Sequence, residues 1–402
     1  MLHVRDDHVA TMEFCLVWNS GDAEHRERLH APRVNFWRDM LPCGLRTALE
    51  GLGEGDTARV HLPTGMAAPL PDKPLRLPFR AFAGLSVAGR PLVPRTGRFY
   101  PRGRVANVPG VFSRSDLRPL RVLGRNGTHF HADISHPLAG REASLLATVL
   151  AMRAKPGDVG GALHCWLEEL ANDGPGMQAD LPDATTDFGG DDAMVRENEH
   201  PDTTFYTEPR MVDHLDDEAL SALRGMLAAR LRPEWRVLDL MASHDSHLQE
   251  TARLHVTGLG LNVEELERNP ALSLRVMQDL NRNPLLPFAP GIFNAVCINL
   301  SVEYLTNPVT VLAEAARVLA PGGRLLISFS NRYFPTKAVR VWTELHDFER
   351  MGYVLGLLRA TGRFGGLATE SLRNRLRPVT DKYWPALRVS DPVYLVEAVR
   401  RE

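Results

Sequence analysis

The chain has 402 residues, 44% apolar and 24% charged, with 47 basic and 49 acidic side chains for a net charge of -2. That is ordinary globular usage, asks for two or three domains, and excludes collagen-like, coiled-coil and wholly disordered chains. The near-neutral total argues against a nucleic-acid partner, and no apolar run of about 18 residues reads as a membrane span. The opening MLHVRDDHVATMEF carries acids where a signal peptide needs a basic start and an apolar core, so export is not expected. Cys15, Cys43, Cys165 and Cys297 are scattered and form no CxxC. Neither a disulfide framework nor a metal site is therefore expected, and a reducing cytoplasm is the expected compartment. Only Lys73, Lys155, Lys337 and Lys382 are lysines, leaving 47 − 4 = 43 Arg, which reads as a GC-rich bacterial genome.

In chain order, MEFCLVW reads as a strand, LRTALEGLGEGDTARVHLPTG as a short helix, a Gly-rich turn and a strand, and THFHADISHPLAGREASLLATVLAMR as a strand, a turn at His136-Pro137 and a long strand. Between Arg76 and Arg125 stand eleven Arg and one acid, Asp116. This is either a solvated, loop-rich face or a basic surface that receives an acidic segment or anionic partner. On GLRTALEGLGEGDTARVHLP and ISHPLAGREASLLATVLAM, residues 1–155 resemble an FKBP-type peptidyl-prolyl isomerase with an inserted flap, GRFYPRGRVANVPGVFSR falling within the insert. The resemblance implies a mostly β, α+β domain that holds a prolyl ring in an aromatic pocket. TGMAAP replaces the segment that carries the family's pocket Tyr, and Leu45 stands where its helix carries an aromatic. The domain is therefore expected to serve structure, gating, binding or dimerisation more than isomerisation. His129, His131 and His136 read as structural.

From Asp173 to Asp202 there are nine acids against Arg196 alone, with Gly, Pro and Thr and no apolar periodicity. Such a stretch buries too little to offset its ordering entropy. Residues 156–202 are expected to be an acidic linker.

Residues 203–402 alternate helical and apolar-strand patterns. DEALSALRGMLAARL is an amphipathic helix; WRVLDLMA, HVTGLGLN, LRVMQDLN and FNAVCINLS are strands; VTVLAEAARVLA is a helix ended by Pro321-Gly322-Gly323, and GRLLISFS is a fifth strand. Alternation of this kind builds right-handed βαβ units, a parallel sheet, and ligand sites at the strands' carboxyl ends. AEAARVLAPGGRLLISFSN and QDLNRNPLLPF followed by FNAVCINLSVEYL resemble class I S-adenosylmethionine-dependent methyltransferases. The resemblance implies an α/β doubly wound, Rossmann-like domain that uses S-adenosylmethionine and releases S-adenosylhomocysteine.

It also assigns cofactor residues. Asp239 ends the first strand and accepts from the cofactor's ammonium or a water beside it. Asp279 accepts from the adenine amine, Leu280 donates its backbone N–H, and Asn299 ends the fourth strand. Where the superfamily has Gly-x-Gly, this chain has Met241, Ala242, Ser243 and His244; where it has an acid after the second strand, this chain has Gly260, so Asn262 or Glu264 is expected to take the ribose hydroxyls. Methyl transfer from a sulfonium needs positioning, desolvation and a correctly protonated nucleophile rather than an acid–base pair. Tyr206, Arg210 and His214 lie on an arm before the first helix, and His244 and His247 in the first loop offer bases. Tyr304, Tyr333, Phe334, Lys337 and Trp342 are candidate acceptor-facing residues. The expected substrate is a small-molecule nucleophile, a thiol or hydrosulfide by economy of catalysis. Alternatives are a polypeptide presented by the first domain, or a non-catalytic cofactor-binding interaction protein. No nucleic-acid or membrane partner is expected, and a homodimer remains open.

Overall fold

Burial alternates almost residue by residue along β1 (His8–Ser20) and β2 (Ala23–Asn35), the period-2 pattern of strands with one face on a core. The computed structural model describes residues 2–69, 72–82, 86–87, 90–155, 157, 161–190, 192–248 and 253–402; Asp191 of the acidic stretch lies outside them. The chain forms two units: Met1–Phe188 with Glu344–Tyr353, and Gly189–Thr343 with Val354–Glu402.

In the first unit, β3 (Thr57–Leu62) and β8 (Ala143–Ala154) complete an antiparallel sheet in the order β2-β1-β8-β3. Its inner face packs on α1 (Leu45–Leu49) and α2 (Trp166–Ala171) through Phe14, Leu16, Leu45, Leu49, Trp166 and Leu170. A second antiparallel sheet contains β4 (Leu75–Pro78), β5 (Phe99–Pro101), β6 (Pro119–Asn126) and β7 (His129–Asp133), in the order β4-β7-β6-β5. It has its own small core around Phe82, Tyr100, Leu120 and Phe130. The described residues of the unit form many strands and only short helices.

The expected linker is different from its sequence reading. Much of it is built into the first unit. Met177, Gln178 and Ala179 are buried, and Gln178 Nε2 donates to the buried Glu27. Gly176, at φ 101°, approaches Pro137 so closely that a Cβ would lie 2.6 Å from its carbonyl carbon. The Arg-rich stretch receives this segment: Asp187 pairs with Arg95 at 3.3 Å, Asp187 N donates to Thr96 O at 2.8 Å, and Arg121 Nη2 donates to Ala179 O. Composition alone missed this because hydrogen bonds and ion pairs to residues far away in the chain, not apolar periodicity, hold the segment.

The second unit is a seven-stranded sheet of β9 (Arg236–Leu240), β10 (His255–Gly260), β11 (Leu272–Met277), β12 (Phe293–Asn299), β13 (Leu319–Phe329), β14 (Phe364–Arg373) and β15 (Val393–Arg400). The order is β11-β10-β9-β12-β13-β15-β14, parallel from β11 to β13, with β15 antiparallel to both neighbours. The strand order reverses between β9 and β12, which puts the topological switch point at their carboxyl ends. Short helices α3 (Asp202–Phe205) and α5 (Val263–Arg268) flank that edge; α4 (Asp217–Ala228) and α6 (Pro308–Val318) cover the faces. Asp216 starts α4 by accepting from the backbone N–H groups of Glu218 and Ala219, and Pro308 starts α6 at its first turn.

Inside the first unit, Arg98 pairs with Glu349 at 2.9 Å with both side chains 1% exposed, and Glu349 also accepts from Phe99 N. Glu349→Ala strands a buried guanidinium and is expected to cost about 3–5 kcal/mol in urea unfolding, whereas the joint R98M/E349L replacement costs markedly less. Equal losses would show that the charges do not compensate one another.

Candidate active site

The cleft opens at the switch point, within the second unit, and encloses about 1090 Å³ including space open to solvent. Its floor is Asp239, which the short apolar run Val237-Leu238 carries into the sheet between Gly258 and Cys297. Asp239 is 2% exposed, and its Oδ2 has no hydrogen-bond partner among the described residues. Burial pushes its carboxyl up to about 7, against a hydrogen bond from Ser246 and the nearby His247. The chain leaves β9 through Met241 at φ 60°, and His247 and Leu300 at the same edge also have positive φ (57° and 51°). Three non-glycine residues in left-handed backbone around one cleft are strain of the kind concentrated at binding sites.

The first loop packs on the end of β10. A Cβ at Gly260 would lie 2.3 Å from Ala242 O, and Ala242 N donates to Leu259 O at 2.9 Å. Gly260 lines the cleft, yet this packing accounts for its missing side chain. Asn262 is spent on structure: its Oδ1 accepts from Glu265 N at 3.1 Å to cap α5, and its Nδ2 donates to Tyr206 O and Thr207 O. Glu264 is exposed and pairs with Arg268. The acid that reaches the cleft is Glu265, 6% exposed, accepting from Ser243 Oγ at 2.6 Å and Arg210 N at 2.7 Å. Asn262 itself lines the cleft, and of the two neighbouring acids it is Glu265, not the expected Glu264, that does so. The Asn-x-x-Glu capping box was the available signal.

Asp279 and Leu280 line the opposite wall. Asp279 Oδ1 accepts from Asn281 N at 2.9 Å and from Arg282 N at 3.3 Å, which shapes the turn. Asn299 lies at the rear, its Nδ2 donating to Ser246 O and its Oδ1 accepting from Ser328.

The arm before α4 closes the front. Tyr206, Arg210, His214, Tyr304 and Phe334 all line the cleft. The Arg210 guanidinium sits 4.4 Å from the Phe205 ring centroid and 5.1 Å from that of Phe334, and His214 stands edge-on to Phe334 at 5.2 Å. Burial, with His247 and His244 nearby, lowers the His214 imidazole below its ordinary value. Burial raises the Tyr206 and Tyr304 hydroxyls, so both stay protonated. His244 faces Asp213 at 3.8 Å. His247 is held by Asp245 at 3.1 Å; burial would raise that carboxyl, but His247 and Arg224 hold it well below the usual range.

Three acceptor-facing expectations fail. Lys337 is fully buried away from the cleft, pairing with Asp202 at 2.8 Å and donating to His200 O at 2.6 Å. Trp342 is fully buried against Phe329. Tyr333 is absent from the lining although its neighbour Phe334 is present. Burial would raise the Asp202 carboxyl, but hydrogen bonds from Lys337, Asn281 and Arg196 outweigh it and hold it low. Asp202, Asn281 and Glu265 are among the cleft residues the sequence reading missed.

Residues 242–327 match the family described as a methyltransferase domain. The chain is 36% identical over 103 residues to a demethylmenaquinone methyltransferase of Beutenbergia cavernae, covering 24% of this chain and 41% of that protein. It is 34% identical over 116 residues to a demethylmenaquinone methyltransferase of Mycobacterium tuberculosis, covering 28% and 47%. It is 38% identical over 74 residues to a ubiquinone/menaquinone biosynthesis C-methyltransferase of Roseobacter denitrificans, covering 17% and 29%. The chain spans less than half the length of each of these relatives. Among solved structures it is similar to a possible histamine N-methyltransferase of Thermotoga maritima at 14% identity and TM-score 0.34, over 45% of this chain and 88% of that one. Residues 242–327 of the second unit thus carry a methyltransferase domain of the S-adenosylmethionine-dependent kind.

The cleft fits that cofactor. An unpartnered, buried carboxylate oxygen at Asp239 suits an ammonium, Glu265 suits a diol, and the Asp279-Leu280 turn suits an adenine edge. Among the described residues no cluster of metal-ligating side chains occurs.

Asp239→Asn is expected to weaken S-adenosylmethionine binding at least about tenfold by calorimetry, through loss of a charge-assisted hydrogen bond. Its stability moves the other way. A carboxyl raised on folding contributes stability below its unfolded value near 3.9 and loses it as pH climbs to about 7. The variant should therefore melt above wild type at pH 8 and level with it at pH 4. A variant that melts lower at pH 8 contradicts the assignment.

Proposed function

We propose that the protein is an S-adenosylmethionine-dependent methyltransferase whose acceptor is a small molecule with a hydroxylated aromatic ring. The observation that carries the methyltransferase reading is Asp239, a buried carboxylate with one oxygen left without a hydrogen-bond partner among the described residues, at the switch point of a unit whose residues 242–327 match a methyltransferase domain. When bound, S-adenosylmethionine supplies an electrophilic methyl on a sulfonium.

The acceptor class rests on the aromatic front of the cleft. Tyr206, Tyr304 and Phe334 offer ring faces and edges to a planar molecule. Arg210, the one Arg among the described residues that line the cleft, is stacked on Phe205 and Phe334. This favours a ring over the thiol or hydrosulfide considered from the sequence. Relatives named for quinone-precursor methylation support the same reading. Methylation at a ring carbon or phenolic oxygen releases one proton from the acceptor. His214, kept neutral by burial, takes it up. Tyr206 and Tyr304 keep their protons and orient the acceptor by donation. The first unit we read as a structural or gating companion, because Leu45, where an isomerase helix carries its pocket aromatic, is fully buried in the core.

A labelled-methyl screen over quinols, phenols, thiols, amines and peptides tests the reading; transfer to thiols alone overturns the acceptor class, and transfer to none overturns the activity. At saturating cofactor, kcat should rise with pH through a midpoint below the ordinary imidazole value of about 6.5. His214→Gln should remove that limb and lower kcat by about 10²-fold. An unchanged limb in the variant assigns the proton to another group.

A further inference from the structure

One segment inverts the usual arrangement of apolar and charged side chains. Between β14 and β15, Arg377 is 3% exposed, while Leu376 is 58%, Val379 70%, Leu387 44% and Val389 46% exposed, with Tyr383 and Trp384 half open beside them. Lys382 to Val389 are exposed without interruption. Clustered apolar exposure of this kind marks a surface that meets something other than water.

The inversion is built. Arg377 pairs with Asp391 at 2.5 Å, Asp381 at 3.1 Å and Asp216 at 3.4 Å, beneath the apolar side chains. Arg377 N donates to Arg388 O, Ser390 N donates to Arg375 O, and Leu376 bridges Val389, so the two arms of the segment are tied at their base. With its charge anchored underneath, the segment cannot fold its apolar side chains inward.

Its place matters as much. β15 runs antiparallel to β13, with Tyr394 opposite Phe329 and Val393 opposite Leu372 of β14. The segment therefore leaves the sheet at the carboxyl edge of the parallel strands, where the cleft opens. Arg332, just after β13, lies 4.5 Å over the Tyr383 ring.

We propose that residues 374–389 seat the protein on an anionic lipid surface. The charge pattern selects this occupant. Between Asn374 and Val389 the only acid is Asp381, already taken by Arg377, whereas Lys382 and Arg388 are exposed among the apolar side chains. A Trp and a Tyr with apolar bodies and wet polar ends, aliphatic anchors, and cations that extend toward headgroups are the parts of an interfacial anchor. Seating is distinct from spanning: among the described residues no helix is long and apolar enough to cross a membrane. The seating stands on its own observations. What rests on the methyltransferase reading is its use, which is to offer the cleft an acceptor dissolved in lipid.

The test is co-sedimentation of the full chain with phosphatidylglycerol vesicles and with phosphatidylcholine vesicles, at low and high salt. Binding to the anionic vesicles, weakened by salt, is expected. Lys382→Ser and Arg388→Ser should each weaken it about fivefold, and V379S/W384S at least about tenfold. S-adenosylmethionine calorimetry on the same samples should be unchanged and serves as the check on folding. Absence of binding to anionic vesicles, or V379S/W384S binding as wild type does, overturns the proposal. So does a vesicle-free dimer that V379S/W384S converts to monomer, since a second copy would then be what covers the patch. Vesicle binding without methyl transfer to any acceptor would instead remove the methyltransferase reading and leave this one standing.

Discussion

The second unit's site hangs on one buried carboxylate that is not in the chemistry. Asp202 is 5% exposed and accepts from Arg196 at 2.8 Å, Lys337 at 2.8 Å and Asn281 at 2.7 Å. Those three partners lie on the segment before the arm, the segment after β13, and the turn after β11. Asn281 continues the tie by donating to Tyr304 O and accepting from Thr306 N and its hydroxyl. A charge this deep is tolerable only when fully paired, and each partner is as costly to strand as the carboxylate itself. The arm that carries Tyr206 and the loops that face it therefore hold one another in register.

Given that frame, the cleft divides its labour by environment. Its floor is an acid that burial makes reluctant to ionise. Its rim acid, Glu265, is satisfied by a hydroxyl and a backbone N–H. Its front is aromatic, with a stacked guanidinium and an imidazole that burial keeps neutral. A cation is wanted at one end and a flat, weakly polar molecule at the other. The strained residues Met241, His247 and Leu300 set the backbone where these demands meet.

The first unit shows a different economy. Eleven Arg within one stretch are balanced in part by the acidic segment that follows 50 or so residues later in the chain. Arg95 with Asp187 and Arg121 with the Ala179 carbonyl are points of contact, while Arg98 pairs instead with the buried Glu349. Near-neutrality of the whole chain conceals this local matching.

The alternating strand and helix pattern of residues 203–402 was legible because apolar period and Pro-Gly turn chemistry are local properties. So were the ends of the strands, and with them Asp239, Asp279, Leu280 and Asn299, all of which line the cleft. The same locality explains the mostly β reading of the first unit. What local reading cannot supply is partnership across the chain. Lys337, read as lining a cavity because a rare Lys sat beside an expected cap, is buried against an acid 135 positions earlier. Gly260 is small for the sake of a carbonyl on another strand's loop, Glu265 rather than Glu264 turns inward, and part of the acidic stretch, residues 174–179, is buried. Composition and period decide which segments can form strands and helices. Only tertiary structure decides which charges meet, because pairing and desolvation depend on distance in space and not along the chain.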